Sequence, residues 1–182
     1  MRKWLIVFLA VIGLATQAQA QDFSIRAGIN LAFGNPLAVG VDARLYALDV
    51  ARIAPTVNLG IIGNVVFNFG GNVSGLLSAG PAIVFSFDRG AGFAYAGVNL
   101  GLAFGGGTAF IFAFVTGVDY DINSSIGLFV DLNLIVVPGT FGALDLGVDF
   151  GLSRDIDGYL KFIIGFGGNN SFGIGGGLKF AL

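Results

Sequence analysis

Apolar residues alternate with small or polar residues along most of the chain. In residues 23–33 every odd position is apolar, whereas the even positions include Ser24, Arg26 and Asn30. A period of two is typical of a β-strand with two unlike faces. The same alternation occurs in ten segments, which are residues 23–33, 39–47, 57–69, 77–87, 94–104, 110–120, 126–134, 144–152, 160–166 and 172–182. The pattern predicts ten strands.

Two long uncharged stretches, residues 53–87 and 90–118, raise the alternative of membrane-spanning helices. Glycines such as Gly60, Gly63 and Gly70 interrupt these stretches every few residues. Each glycine costs about 1 kcal/mol inside a helix. The remaining residues are mainly Phe, Val, Ile and Asn, and the first three of these favour strands. Composition therefore agrees with the period of two.

The first twenty residues differ from the rest of the chain. Arg2 and Lys3 precede the twelve apolar residues of segment 4–15, and a small-x-small sequence occupies residues 18–20. A helix of that length rises about 18 Å, which is too short for a hydrocarbon core of about 30 Å. This pattern predicts a cleaved signal peptide at residues 1–20, followed by a single domain at residues 21–182.

The two faces of the predicted strands indicate how the strands are arranged. One face is bulky and apolar, and the other consists mostly of glycine and short amides with few charges. A glycine-rich face does not suit a solvated surface, but it suits a narrow lumen. We therefore expect an all-β, closed, antiparallel, up-and-down transmembrane β-barrel, with the apolar face toward lipid. Ten strands are predicted, and eight are the alternative if two segments lie outside the membrane.

Aromatic residues gather at both ends of the predicted strands, where transmembrane barrels concentrate them. With the N-terminus at the inner side, two girdles are predicted. The outer girdle comprises Phe33, Phe67, Phe69, Phe104, Phe110, Phe166 and Phe172, and the inner one comprises Phe23, Phe85, Phe87, Tyr120, Phe150 and Phe180.

The residue types that are missing exclude several classes of chemistry. The chain contains no Cys, no His and no Glu. Disulfide frameworks, thiolate metal sites and His-dependent catalysis are therefore excluded. Beyond the predicted signal, 7 basic residues stand against 11 acidic ones, so no basic surface for nucleic acid is expected. The sequence predicts neither an enzyme nor a cofactor or metal site.

The signal peptide, the alternating pattern and the C-terminal residues Leu178, Phe180 and Leu182 point to a known group. Together they resemble the small outer-membrane β-barrels of the OmpA-transmembrane and OmpX-like kind. The resemblance implies export across the inner membrane into the bacterial outer membrane, where lipid surrounds the barrel. It also implies that Leu178, Phe180 and Leu182 form an insertion signal for the barrel-assembly machinery.

Nine charged side chains fall on the predicted lumenal face. The basic ones are Arg26, Arg44, Lys161 and Lys179, and the acidic ones are Asp42, Asp119, Asp131, Asp145 and Asp149. The spacing places Asp131 and Asp145 opposite each other on adjacent strands, where like charges repel unless a cation lies nearby. The pair indicates either an ion site or an ion-pair network. We expect at least one of the two arginines to reach these carboxylates.

The other side of the lumen is less polar, and the predicted function follows from this contrast. The inward residues there are Ile62, Val66, Leu76, Val84, Ile111 and Val115. We expect a structural barrel or a passive narrow pore, in which Asp42, Arg44, Asp131 and Asp145 brace the constriction. The alternative is a channel or binding site for small apolar molecules along the less polar side. The sequence does not indicate an oligomeric state.

Overall fold

The computed structural model describes residues 23–33, 37–70, 72–167 and 170–182, and these ranges form ten strands. The strands are β1 (Phe23–Phe33), β2 (Ala38–Ala54), β3 (Val57–Gly70), β4 (Asn72–Phe87), β5 (Gly92–Phe104), β6 (Thr108–Asn123), β7 (Ile126–Val137), β8 (Phe141–Gly151), β9 (Ile156–Phe166) and β10 (Ser171–Ala181). A short 3-10 turn at Asp88–Gly90 joins β4 to β5. Within the described ranges no helix has the length and apolar character to cross a membrane. The predicted signal peptide and its cleavage site lie outside these ranges.

Each strand pairs in antiparallel fashion with its neighbours in sequence, and β1 pairs with β10 to close a barrel. The closing register sets Gly28 opposite Gly177 and Arg26 opposite Lys179. Every strand of the described chain belongs to this one closed sheet. The predicted ten-stranded antiparallel barrel is therefore confirmed, and the eight-stranded alternative is excluded.

The side chains divide between the two faces as the alternation predicts. Bulky apolar residues point outward, and Ile29, Leu160 and Phe162 are 62%, 64% and 67% exposed. Inward side chains are buried, as Ile62 and Asn99 show. The lumen is thus the packed interior of this fold, while much of the outer surface is apolar.

Several strands extend beyond the predicted segments, and β2 does so by the largest number of residues. β2 continues past residue 47 to Ala54, and its register with β3 is irregular between Ala47 and Ala51. The irregularity interrupts the alternation of apolar and polar residues, although β2 continues to pair with β3. Asp49 and Arg52, which lie between the predicted segments 39–47 and 57–69, therefore belong to β2.

Aromatic rings lie against glycines on neighbouring strands throughout the barrel. An added Cβ atom at each of these glycines would run into the ring of its register partner. The pairs on the outer face are Gly75 with Phe104, Gly92 with Phe87, Gly142 with Phe166 and Gly158 with Phe150, and those in the lumen are Gly117 with Tyr95 and Gly147 with Phe129. The aromatic ring fills the space that the missing side chain leaves. Glycine is thus needed on both faces of the wall.

Gly147→Ala tests this pairing. The new methyl group would collide with the Phe129 ring and would lie 2.7 Å from the carbonyl oxygen of Leu160. We expect a loss of about 1–3 kcal/mol in the free energy of unfolding, as in other overpacked interiors. Urea unfolding in lipid vesicles measures it. Gly107→Ala is the control, because a Cβ atom there meets nothing within 4 Å. Equal stability of the two variants would contradict this role of the ring.

Candidate functional site

Three basic residues of the lumen form a wall that faces carboxylates across the barrel. Lys179, Arg26 and Arg44 occupy adjacent register positions on β10, β1 and β2. Like charges in such positions repel each other across the strands. β1 and β6 are five places apart in the ring of ten strands, so the strands around β6 lie across the lumen from this basic wall. That opposite wall carries Asp119 on β6 and Asp131 on β7.

Arg26 spans the lumen between the two walls. Its Nη2 atom lies 2.9 Å from Oδ2 of Asp119 and 2.7 Å from Oδ2 of Asp149, and its Nη1 atom lies 3.4 Å from Oδ2 of Asp131. The guanidinium carbon also lies 3.6 Å from the ring centroid of Phe129. The Arg26 side chain is only 4% exposed, so these contacts replace its solvent shell. One residue thus ties β1 to β6, β7 and β8.

Asp131 receives three further interactions besides that from Arg26. Its Oδ2 atom lies 2.6 Å from Nη1 of Arg44 and accepts a 3.0 Å hydrogen bond from the Tyr46 hydroxyl. The Tyr95 hydroxyl donates to the Oδ1 atom of Asp131 at 2.5 Å. Arg44 has a further partner, because its Nε atom donates to Oδ1 of Asn64 at 2.7 Å. A buried carboxylate requires partners of this kind, because desolvation otherwise outweighs its attraction to a cation.

Lys179 completes the first group of charges. Its Nζ atom lies 3.2 Å from Oδ2 of Asp119 and 3.3 Å from Oδ2 of Asp149. We call Arg26, Arg44, Lys179, Asp119, Asp131 and Asp149 the arginine cluster. It combines three cations with three carboxylates, so its formal charges cancel.

A second group involves the other three charged residues. Nζ of Lys161 lies 2.7 Å from Oδ2 of Asp42 and 2.9 Å from Oδ2 of Asp145. We call these three residues the lysine cluster, which has one cation for two carboxylates. Asp131 and Asp145 are register partners, as the sequence predicts, but they belong to different clusters. Both arginines reach Asp131, whereas Asp145 is held by Lys161.

The less polar side of the lumen is filled by packed side chains. Ile62, Val84 and Val115 pack with Tyr46 and Tyr95 in one buried apolar cluster. Leu76 and Ile111 belong to a second such cluster, against which Val66 packs. Five of the six residues predicted to line an apolar path are between 0% and 9% exposed. These contacts favour a filled interior over an apolar path on this side.

Several residues of the network are missing from the sequence prediction. Tyr46, Tyr95 and Asn64 bind the charged groups directly, and Phe129 stacks on Arg26. Each occupies an inward position of its strand. The sequence could have identified them as polar or aromatic side chains that occupy the same alternate positions of their strands as the lumenal charges do.

The residues of the predicted insertion signal lie where the barrel closes. Leu178 and Phe180 belong to β10, which pairs with both β1 and β9. Leu182 follows the strand, and its backbone N–H donates to the carbonyl oxygen of Phe23 at 2.9 Å. Leu178 is 39% exposed and Leu182 is 70% exposed on the surface of the barrel.

A polar cavity of about 630 Å³ opens at the end of the barrel that carries Phe23 and Ala181. Asp88, Asp121, Asp157 and Arg154 line it, and Asp149 of the arginine cluster also borders it. Among the described residues no group of three or more acidic side chains has the geometry to hold a metal ion. The cavity thus borders the arginine cluster through Asp149.

Similarity to known proteins is found among solved structures. No protein-family model matches the sequence, and no curated protein matches it. Outer membrane phospholipase A from Escherichia coli is similar at 9% identity and a TM-score of 0.48, with 87% of this chain and 90% of that chain covered. The KdgM porin in complex with disordered oligogalacturonate is similar at 8% identity and a TM-score of 0.47, with 88% of this chain and 98% of that chain covered. Neisserial surface protein A is similar at 16% identity and a TM-score of 0.36, with 88% of this chain and 96% of that chain covered.

The matched pair Asp131→Asn and Asp145→Asn tests the division into two clusters. Asp131→Asn leaves three cations with two carboxylates, and we expect it to lower the free energy of unfolding by about 3–5 kcal/mol, as when other buried pairs lose a partner. Asp145→Asn leaves Lys161 paired one to one with Asp42, so its cost stays below about 1 kcal/mol. Urea unfolding in vesicles compares them. A larger loss for Asp145→Asn would show that the clusters are divided incorrectly.

Proposed function

We propose that this protein is an integral outer-membrane β-barrel with a structural role, whose lumen is closed by its own side chains. The observation that carries the proposal is the contact of Arg26 with carboxylates on three strands across the barrel. A residue held in this way occupies the middle of the lumen. Its burial at 4% exposure supports closure at this level.

The outer surface supports the membrane location. Large apolar side chains from all ten strands are exposed there, and Leu100, Phe114 and Val130 are examples. A water-soluble monomer rarely exposes a continuous apolar surface of this extent. The closed sheet also pairs its backbone groups between strands, as a hydrocarbon environment requires. Exposed Phe33, at one end, and Phe85, toward the other, fit the two predicted girdles.

Three further parts of the proposal complete this assignment. The end with Phe23 and Ala181 faces the periplasm, so that the short connections β1–β2, β3–β4 and β5–β6 face outward. Residues 1–20 act as the export signal. Leu178, Phe180 and Leu182 form the insertion signal that the barrel-assembly machinery reads. Their place at the closing strand supports this role, since β10 must meet β1 to complete the barrel.

The lumen supports a non-enzymatic role over the other functions considered. The sequence has no His to activate a serine, and the aspartates of the arginine cluster are held by cations. The apolar side of the lumen is packed, which disfavours a route for small apolar molecules. A passive narrow pore would have to pass the arginine cluster, so conductance measurements distinguish it from a closed barrel.

Leu100→Arg tests the membrane location. Leu100 is 54% exposed on the outer face at the middle of β5. A charge there should lower the free energy of unfolding in lipid by about 2–4 kcal/mol, the cost of arginine near the bilayer midplane. Ser124→Arg, in the exposed β6–β7 turn, should change it by less than about 0.5 kcal/mol. Mature protein that is soluble and monodisperse without detergent would refute the membrane location.

Single-channel recording in planar bilayers tests closure of the lumen. We expect the parent protein to show no stable conducting state. Arg26→Ala removes the side chain that spans the lumen and leaves Asp119 and Asp149 with only Lys179, so it should open a cation-selective path. Arg44→Ala should act in the same direction but more weakly, because Asp131 keeps Arg26.

The control for conductance is Arg89→Ala, in the exposed 3-10 turn between β4 and β5 and outside the residues that line the polar cavity, which should behave like the parent. Steady conductance of the parent, unchanged in Arg26→Ala, would replace the closed barrel with a pore that bypasses the arginine cluster. Heat-dependent migration of each variant on a gel verifies that the barrel has folded.

A further inference from the structure

The outer face of the barrel carries a groove where strands β7 to β10 meet β1. Its volume is about 990 Å³, which lies within the range of small-molecule binding sites. Outward side chains from these strands line it, among them Ile174, Phe162 and Val148. The groove lies on the outer surface of the wall, whereas the charge clusters lie inside.

A glycine interrupts the outward row of side chains in this groove. Gly176 on β10 has Ile29 on β1 and Leu160 on β9 as its register partners. Those two residues are 62% and 64% exposed, so they stand up on either side of a position that has no side chain. An added Cβ atom at Gly176 would lie 3.0 Å from Cδ2 of Leu160 and 3.1 Å from the carbonyl oxygen of Tyr159. A larger residue would therefore fill the gap.

The chemistry of the groove selects a neutral, apolar ligand. The outward side chains that form its walls are aliphatic or aromatic. The one charged residue at its edge, Lys161, directs its ammonium group to Asp42 and Asp145 inside the barrel. No headgroup is therefore recognised by charge at the groove walls. The ligand should be recognised by its hydrocarbon alone.

We propose that this groove retains one acyl chain of a membrane lipid, between Ile29 and Leu160 and over Gly176. The proposal rests on the membrane location given above. The groove is continuous with the apolar surface that faces hydrocarbon in that arrangement, so acyl chains are the molecules present to fill it. A flexible linear chain can follow a narrow gap between two ridges, whereas the convex wall of a second barrel would meet the ridges first.

Native mass spectrometry tests the proposal on mature protein extracted from vesicles of dioleoylphosphatidylglycerol and dioleoylphosphatidylcholine. We expect the parent barrel to retain a single lipid, with either headgroup. Gly176→Leu should lose that lipid because the new side chain fills the gap. Ala79→Leu is the matched control, since Ala79 is exposed on the outer face of β4 away from the groove. It should retain the lipid as the parent does.

A second measurement does not depend on the folding of the glycine variant. Trp4 is the single tryptophan and belongs to the predicted signal, so the mature chain offers a background free of tryptophan. Leu160→Trp places one in the groove, and Leu100→Trp places one on the opposite wall. After transfer from vesicles with brominated acyl chains into unlabelled vesicles, fluorescence at position 160 should stay quenched for longer than at position 100.

The outcomes separate this proposal from the membrane location. Failure to insert into vesicles overturns both. Insertion with no retained lipid and equal recovery of the two tryptophans overturns the acyl-chain site alone. Loss of the lipid from Ala79→Leu as well as from Gly176→Leu also overturns it. A dimer that dissociates in Gly176→Leu would assign the groove to a second copy of the chain instead.

Discussion

The buried cations of the arginine cluster are balanced by carboxylates on strands that are not their neighbours. Lys179, Arg26 and Arg44 are neighbours in register, so each faces repulsion within its own part of the sheet. The carboxylates that neutralise them lie on β6 to β8, up to 123 residues away from Arg26 in sequence. The contacts of the two arginines cross from β1 and β2 to β6, β7 and β8. Closure of the barrel therefore holds the arginines opposite the carboxylates that neutralise them.

Two tyrosines connect this polar layer to the apolar half of the lumen. Tyr46 and Tyr95 belong to the same buried apolar cluster, and both donate their hydroxyl hydrogen to Asp131. Their rings pack edge to face, with centroids 6.0 Å apart. A tyrosine can serve both environments, because its ring is apolar and its hydroxyl is polar. The lumen is thus a continuous interior in which one half is charged and the other half is mostly apolar, with buried Ser78 and Asn99 among its uncharged polar groups.

The sequence predicts those features that depend on a residue and its immediate neighbours. The period of two identifies all ten strands and assigns each side chain to a face, which places the nine charges inside. It also aligns Asp131 with Asp145, because a short connection fixes their register. The sequence pattern does not predict that Asp131 pairs with the two arginines while Asp145 pairs with Lys161. That choice depends on the curvature and stagger of the closed wall, which bring distant strands together.

The pairing of aromatic residues with glycines is another feature that the sequence predicts only in part. Sequence composition reveals many glycines and phenylalanines, and it correctly suggests a narrow barrel. The partner of a given glycine, such as Phe129 for Gly147, follows only from the register between strands. The extension of β2 to Ala54 is likewise hidden, because an irregular register breaks the alternation from which a strand is inferred.

The unequal charges of the two clusters agree with the unequal burial of their carboxylates. The arginine cluster balances three cations with three carboxylates, and the Arg26, Asp131 and Asp149 side chains are each 4% exposed. The lysine cluster has one carboxylate in excess, and its Asp42 and Asp145 side chains are 15% and 13% exposed. An unbalanced charge is less costly where water still reaches it. The surplus therefore lies on the two partly exposed carboxylates of the lysine cluster. In the arginine cluster the carboxylates are the more buried groups, whereas the Arg44 and Lys179 side chains are 13% and 16% exposed.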